Sequence, residues 1–128
     1  MFSPKVLVVD DHPDGAEALG NLLQALGCDV KVAFSGEDAL AMAPEFRPRL
    51  VILDIEMGGL NGLEIARRMR KQDWAQASVF ASHSGSVHPK IADISRKAGF
   101  HYHVAKPAQL DTFRHLLDAL EDPPESSA

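Results

Sequence analysis

The chain has 128 residues, of which 45% are hydrophobic and 24% charged, a size that suits one domain with a single core. Its 13 Lys and Arg residues against 18 Asp and Glu residues give a net charge of −5, without the basic block that phosphate-clamping nucleic-acid binding requires. A lone cysteine, Cys28, excludes an internal disulfide framework, and the apolar runs are too short to span a membrane. We therefore expect a cytoplasmic protein whose partners include neither nucleic acid nor membrane.

The first half of the chain alternates between strand-like and helix-like hydrophobic periods. Apolar residues spaced three and four apart predict a first helix that ends at Gly27, and Ser35 is a candidate N-cap for a second helix that continues to Ala43. Pro44 and Pro48 are expected to bracket the following loop. Three short β-branched or apolar runs are predicted strands, at 5–9, 29–34 and 50–53.

The second half repeats this rhythm. Asn61 is predicted to cap a third helix, with Glu64 three residues later. Pro89 suits the first turn of a fourth helix, which presents Ile94 on its apolar face and ends at Gly99. Two further strands and an amphipathic fifth helix are predicted at 79–83, 101–105 and 110–120.

Five strands that alternate with five helices predict an α/β fold, an open, doubly wound parallel sheet with helices on both faces. In such sheets, ligands bind at the carboxyl ends of the strands, near the point where the strand order reverses. We therefore expect the ligand-binding or reactive residues among those that follow the predicted strands.

Charged side chains follow three of these strands. Asp10 and Asp11 come after the first, Asp54 after the third and Lys106 after the fifth, while the fourth ends near serines. Two carboxylates about 5 Å apart repel by roughly 3 kcal/mol at an effective dielectric near 20, which a purely structural site has no reason to bear. A hard divalent cation relieves that repulsion, and oxygen ligands favour Mg²⁺. A carboxylate beside Mg²⁺ and a lysine is equipped to accept a phosphoryl group as an acyl phosphate.

From about residue 5 to 120, the chain resembles the receiver domain of bacterial two-component response regulators. The segments that carry this resemblance are Val8-Val9-Asp10-Asp11, Asp54-Ile55-Glu56-Met57 with Leu60-Asn61-Gly62, Ala98-Gly99-Phe100 and Lys106-Pro107. The resemblance implies a flavodoxin-like (βα)5 fold with strand order 2-1-3-4-5. It also implies a receiver domain over residues 1–121, followed by a flexible tail or linker at 122–128.

The resemblance assigns a role to each strand-end residue. Asp54 is the implied phosphoacceptor and a Mg²⁺ ligand, and Lys106 the implied contact to the phosphoryl group. Asp11 would bind Mg²⁺ directly and Asp10 through water. The backbone carbonyl of Glu56 would supply the third protein oxygen.

The switch residues are implied less directly. The family's usual interval from the lysine points to Ser84 as the switch hydroxyl, with Ser82 as its competitor. The aromatic switch position falls on His103, and the peptide bond between Lys106 and Pro107 is expected to be cis.

Three positions depart from the family pattern: Gly58 replaces a proline, Asn61 replaces an aspartate but keeps its capping role, and His103 replaces Phe or Tyr. An imidazole at the switch raises the hypothesis that activation depends on pH, against the plainer interpretation of a half-exposed histidine. Leu22, beside the core stripe of the first helix, is a candidate contact for the phosphodonor protein.

The implied function is a signalling module rather than an ordinary enzyme. It would take a phosphoryl group from a histidine kinase or histidine phosphotransfer protein and then switch a protein-binding face. It would act as a monomer or a phosphorylation-dependent dimer, and it could phosphorylate itself from small donors and slowly dephosphorylate. The alternatives are a receiver-like adaptor that signals without phosphorylation, a small aspartyl-nucleophile phosphatase, which needs an aspartate where Glu56 stands, and a flavin-binding module, whose phosphate the first acidic pair would repel.

Overall fold

The computed structural model describes residues 3–57, 61–85, 90–106 and 109–121. The strands are β1 (Lys5–Val9), β2 (Asp29–Ala33), β3 (Leu50–Asp54), β4 (Val79–Ser84) and β5 (Tyr102–Ala105). The helices that alternate with them are α1 (Pro13–Ala25), α2 (Gly36–Phe46), α3 (Gly62–Arg70), α4 (Ile91–Lys97) and α5 (Leu110–Glu121). The predicted alternation of five strands and five helices is confirmed.

The strands form one parallel sheet in the order β2-β1-β3-β4-β5, as the resemblance implies. Both faces of the sheet are covered: α2 and α3 pack with one apolar cluster, and α1 and α5 pack with the other. The central strand β3 is buried at all five positions, which explains its uninterrupted apolar run. Strand order reverses between β1 and β3, so the carboxyl ends of these two strands flank the expected site.

The predicted helix ends are formed by the expected residues. The side chains of Ser35 and Asn61 accept hydrogen bonds from the amides of Asp38 and Glu64, at 3.1 Å and 3.0 Å. Gly27 and Gly99, just beyond α1 and α4, adopt φ values of +97° and +108°, a region that favours glycine.

The prediction that Pro44 begins a loop is wrong, because α2 continues through it to Phe46. A proline near the end of a helix forfeits one hydrogen bond, and the last turn keeps another, from the amide of Arg47 to the carbonyl of Ala43 at 2.8 Å. Phe46 is buried and receives the ammonium groups of Lys5 and Lys31 over its ring. Tertiary packing of Phe46 thus outweighs the local cost of the proline.

Two further details differ from the sequence prediction. Ile94, expected on the apolar face of α4, is 37% exposed, whereas Ser95 is buried. A short 3₁₀-helix at Asp73–Ala77 was not predicted; it buries Trp74, which stacks on Phe80. The predictions for Gly58, Pro89, the Lys106–Pro107 peptide bond and the tail at 122–128 lie outside the described residues. Over the described ranges, no helix has the length and apolar character needed to cross a membrane.

Gly62 fixes how closely α3 approaches the end of β3. A Cβ atom placed on Gly62 would collide with the carbonyl oxygen of Asp54 and lie 2.6 Å from the Cα of Ile55. Both are backbone atoms, which cannot move aside without displacing the strand end that carries Asp54. A side chain at this position therefore conflicts with the fold itself.

We expect Gly62→Ala to lower the free energy of unfolding in urea by about 2 kcal/mol through overpacking. Gly15→Ala is the matched control: it lies in the first turn of α1 with no atom within 4 Å of an added Cβ. That change should raise stability by about 0.5 kcal/mol, since alanine favours helix more than glycine does. Equal stability of Gly62→Ala and the unaltered protein would contradict the close approach.

Candidate functional site

Acidic side chains from two strand ends converge at the centre of the sheet. β1 and β3 pair in register up to Val9 and Leu53, so Asp10 and Asp54 lie next to each other on adjacent chains. One ligand atom each from Asp10, Asp11, His12 and Asp54 lies within 4.8 Å of all the others. The structure therefore brings together the three aspartates that strand-end reasoning predicted, and it adds a histidine that this reasoning missed.

Lys106 links this cluster to β5. Its ammonium lies 2.9 Å from Oδ2 of Asp54 and 3.3 Å from Oδ2 of Asp10. Its backbone amide donates to the carbonyl of Ser84 at 2.8 Å, which fixes the start of the side chain. The three aspartates and Lys106 together carry a net charge of −2 when ionised, the deficit that one divalent cation would cancel.

The buried charges perturb one another. Burial raises the pKa of Asp54, and the charge of Asp10 adds to this, so the pKa stays above its ordinary value despite hydrogen bonds from Lys106 and the amide of Glu56. Burial also opposes ionisation of Asp10, but hydrogen bonds from His12 and the attraction of Lys106 bring its pKa below the ordinary value. Burial lowers the pKa of Lys106, yet Asp54 and Asp10 outweigh that effect and raise it overall.

The donor set fits a hard divalent cation. Carboxylate oxygens of Asp10, Asp11 and Asp54 lie close to one another, and burial, with a smaller contribution from the charge of Asp10, keeps the pKa of Asp54 raised despite the nearby ammonium of Lys106. Glu56 donates its amide to Oδ1 of Asp54 at 2.8 Å, which places its backbone beside the cluster. The metal-binding role of the Glu56 carbonyl stays a prediction.

The side chain of Glu56 also connects the segment after Asp54 to the end of β4. Its Oε1 accepts a hydrogen bond from the hydroxyl of Ser84 at 2.6 Å and another from the amide of Gly85 at 3.0 Å. Ser84 is fully buried, so this contact holds it against the segment that follows Asp54. Sequence reasoning considered only the backbone of Glu56 and missed this use of its side chain.

Ser82 has different partners. Its hydroxyl lies 2.7 Å from Nδ1 of His103 and 3.3 Å from the carbonyl oxygen of Tyr102. Of the two candidate switch hydroxyls, Ser84 is therefore the one that contacts the segment after Asp54, whereas Ser82 contacts β5. The assignment of the switch role itself stays a prediction.

A cleft of about 420 Å³ opens beside the cluster, between α1 and α5. Leu19 and Leu22 of α1 and Phe113 of α5 form apolar walls, and Asp10 and Lys106 also line the cleft. Leu22 is half-buried, as expected for a residue beside the core stripe. The candidate partner contact therefore adjoins the charged cluster.

His83 lines the same cleft and was not predicted as a site residue. Its ring lies edge-on to Phe113, with centroids 6.1 Å apart, and burial together with the nearby charge of Lys106 lowers its pKa to about 4. Strict alternation along β4 could have revealed it, because the residue between Ser82 and Ser84 must point to the opposite face.

Comparisons with known proteins agree with this geometry. Residues 6–118 match the family model described as the response regulator receiver domain. The chain is 36% identical over 137 aligned residues to the virulence sensor protein BvgS of Bordetella bronchiseptica, covering 98% of this chain and 11% of BvgS. It is 35% identical to the transcriptional regulatory protein PrrA of Mycobacterium leprae, covering 82% of this chain and 44% of PrrA. The chain thus spans less than half the length of these relatives.

Solved structures show the same fold. The chemotaxis response regulator CheY4 of Vibrio cholerae superimposes with a TM-score of 0.84 at 25% identity, covering 93% of this chain and 99% of CheY4. The Francisella response regulator 1452 receiver domain superimposes with a TM-score of 0.83 at 25% identity, covering 92% and 96% of the two chains.

The depressed pKa of His83 predicts a specific pH dependence of stability. Between pH 6.5 and about 4, the folded state keeps His83 neutral while the unfolded state binds a proton, so stability falls as pH falls. This group accounts for at most about 3 kcal/mol over that window. In urea titrations we expect His83→Leu to flatten the decline, whereas His115→Gln, an exposed control on α5, should leave it unchanged. Parallel pH profiles for His83→Leu and the unaltered protein would refute this account.

Proposed function

The chain belongs to the family of response regulator receiver domains, the receiving modules of two-component signalling, and from that premise we propose that it accepts a phosphoryl group on Asp54 in a Mg²⁺-dependent reaction. The observation that carries the proposal is the placement of Asp54. Its carboxylate is 2% exposed and has one oxygen on Lys106 and the other on the amide of Glu56. Such a carboxylate is held in position with its nucleophilic atoms oriented.

The chemistry follows from these contacts. An oxygen of Asp54 forms a bond to phosphorus while the phosphorus–nitrogen bond of a phosphohistidine donor breaks, and the departing imidazole keeps that electron pair and takes a proton from solvent. Lys106 offsets negative charge on the transferred group from its position between Asp54 and Asp10. Asp10, Asp11 and Asp54 would hold Mg²⁺, which when bound supplies further positive charge to the phosphoryl oxygens.

A histidine kinase or histidine phosphotransfer protein is the proposed donor. The apolar cleft walls formed by Leu19, Leu22 and Phe113 adjoin Asp10 and Lys106, so a partner seated there would bring its phosphohistidine next to the cluster. Receiver domains take phosphoryl groups from histidine kinases, and the cleft supplies a contact area for such a protein.

The proposed output is a change in a protein-binding face formed by α4, β5 and α5. The phosphoryl group would draw the Ser84 hydroxyl away from Glu56, which links the site to the β4–α4 connection. Of the four large hydrophobic residues exposed in the described part of the chain, Ile94, Tyr102 and Leu110 come one each from these elements, and Phe34 lies elsewhere. Exposed apolar side chains on neighbouring elements are typical of an interaction surface.

Incubation with acetyl phosphate and Mg²⁺ should add one phosphoryl group, detected by intact mass. Asp54→Asn or removal of Mg²⁺ with a chelator should abolish the adduct. Lys106→Met should slow its formation about 100-fold, because an aligned cation no longer stabilises the transferring charge. Absence of any adduct from acetyl phosphate and from phosphoramidate would overturn the proposal and favour an adaptor that signals without phosphorylation.

The hydrogen bond between His103 and Ser82 supplies a physical basis for the hypothesis that activation depends on pH. An Nδ1 that carries no proton can accept a hydrogen bond from the Ser82 hydroxyl, whereas a protonated ring can only donate, so protonation reverses the direction of the bond. Other titratable groups that line the grooves beside His103 are Arg96, His101, Tyr102 and His115. We propose that the switch equilibrium differs between pH 6 and pH 8.

The test replaces His103 with Phe and follows amide hydrogen exchange of β5 in the phosphorylated protein at pH 6 and pH 8, after correction for intrinsic exchange rates. The unaltered protein should show a pH-dependent difference in protection of about threefold or more, and His103→Phe should show none. The matched control is His115→Gln, which should behave like the unaltered protein. The same profile in His103→Phe and the unaltered protein would dismiss the hypothesis.

A further inference from the structure

His12 is the residue of the charged cluster that the proposed function leaves without a role. Its Nδ1 lies 3.1 Å from Oδ1 of Asp10 and 3.1 Å from Oδ1 of Asp11. The ring is not part of the core, because its side chain is 73% exposed. Its position instead follows from the backbone: the His12 amide donates to the same Asp10 oxygen at 2.9 Å, which holds residue 12 over the acidic pair.

The spacing of these three atoms suits a shared cation. Two donor atoms that bind an octahedral ion at right angles, each about 2.1 Å from it, lie about 3.0 Å apart. The imidazole nitrogen stands at nearly that distance from both carboxylate oxygens, and an oxygen of Asp54 belongs to the same group within 4.8 Å. The donor set at this cluster is therefore mixed, with nitrogen and oxygen.

We propose that His12 is a metal ligand that gives this site a preference for divalent transition metals over Mg²⁺. The inference rests on the proposed function, because it takes the cation site of Asp10, Asp11 and Asp54 as its starting point. Mg²⁺ is a hard ion that favours oxygen donors, whereas an imidazole nitrogen also binds divalent transition metals, more strongly for Ni²⁺ than for Mn²⁺. A neutral imidazole added to three carboxylates thus leaves the charge of the site unchanged and alters its preference among metal ions.

The exposed position of the ring supports this role. To bind a metal, Nδ1 must carry no proton, so the remaining proton sits on Nε2. With most of the side chain in solvent, Nε2–H can be hydrated without any rearrangement of the core.

The test compares metal binding by the full chain and by His12→Asn. Asparagine suits this position because residue 12 is the N-cap of α1 and its present side chain makes no capping hydrogen bond. Isothermal titration calorimetry at pH 8, where an imidazole is ordinarily neutral, would measure the affinities for Ni²⁺ and Mg²⁺. We expect the substitution to weaken Ni²⁺ binding by about tenfold or more and Mg²⁺ binding by less than about threefold.

Pulsed electron paramagnetic resonance of bound Mn²⁺ supplies a readout that a purely structural role would not change. The unaltered protein should show coupling to an imidazole nitrogen, and His12→Asn should lose it. His115→Asn is the matched control, since it removes another exposed imidazole, on α5, and should retain both the coupling and the Ni²⁺ affinity.

The outcomes separate this inference from the proposed function. The role of His12 would be overturned if His12→Asn weakened Ni²⁺ and Mg²⁺ binding equally or strengthened both. It would also be overturned if the unaltered protein showed no nitrogen coupling. None of these results would contradict Mg²⁺-dependent phosphorylation. Failure of the unaltered protein to bind either metal would overturn the cation site and with it the proposed function.

Discussion

Crowding of negative charge at one end of the sheet is the constraint on which the site depends. Asp10 and Asp54 are both buried, and the ammonium of Lys106 contacts them both. Ionised Asp54 is therefore held at a cost in folding free energy, which its raised pKa records. The almost wholly buried apolar strands β1 and β3 directly beneath these residues supply hydrophobic stabilisation that offsets this cost. A buried carboxylate whose ionised form is destabilised in this way is stabilised by any cation that binds to it or any electrophile that bonds to it.

The convergence of the charged residues could be predicted from sequence because it depends on topology alone. Once strands 1, 3 and 5 are recognised as parallel members of one doubly wound sheet, their carboxyl ends must lie at the same edge of that sheet. Asp10 and Lys106 directly follow β1 and β5, and Asp54 is the last residue of β3, so no side-chain detail is needed to place them together. Helix ends could also be predicted from the sequence, because a capping residue such as Asn61 bonds to an amide within the first turn of its own helix.

Features that depend on the direction of a side chain, or on packing between distant segments, could not be predicted from the sequence. Pro44 signals a break locally, but burial of Phe46 carries α2 beyond it. The side chain of Glu56 could have pointed to solvent, and its bond to Ser84 follows from the way two separate loops meet. His12 adjoins the acidic pair in sequence, yet only its rotamer places Nδ1 between the two carboxylates.

Under the proposed function, the hydrogen bond from Ser84 to Glu56 has a consequence for the unphosphorylated state. A hydroxyl has one proton, so Ser84 cannot donate to the Glu56 carboxylate and to an acyl phosphate at the same time. Under the proposed function, the free energy of the first contact would therefore be subtracted from the driving force of the second, and the side chain at residue 56 would help to set how readily the domain activates. Substitution of this one side chain would then change the spontaneous output while leaving Asp54, Lys106 and the carboxylates of Asp10 and Asp11 unaltered.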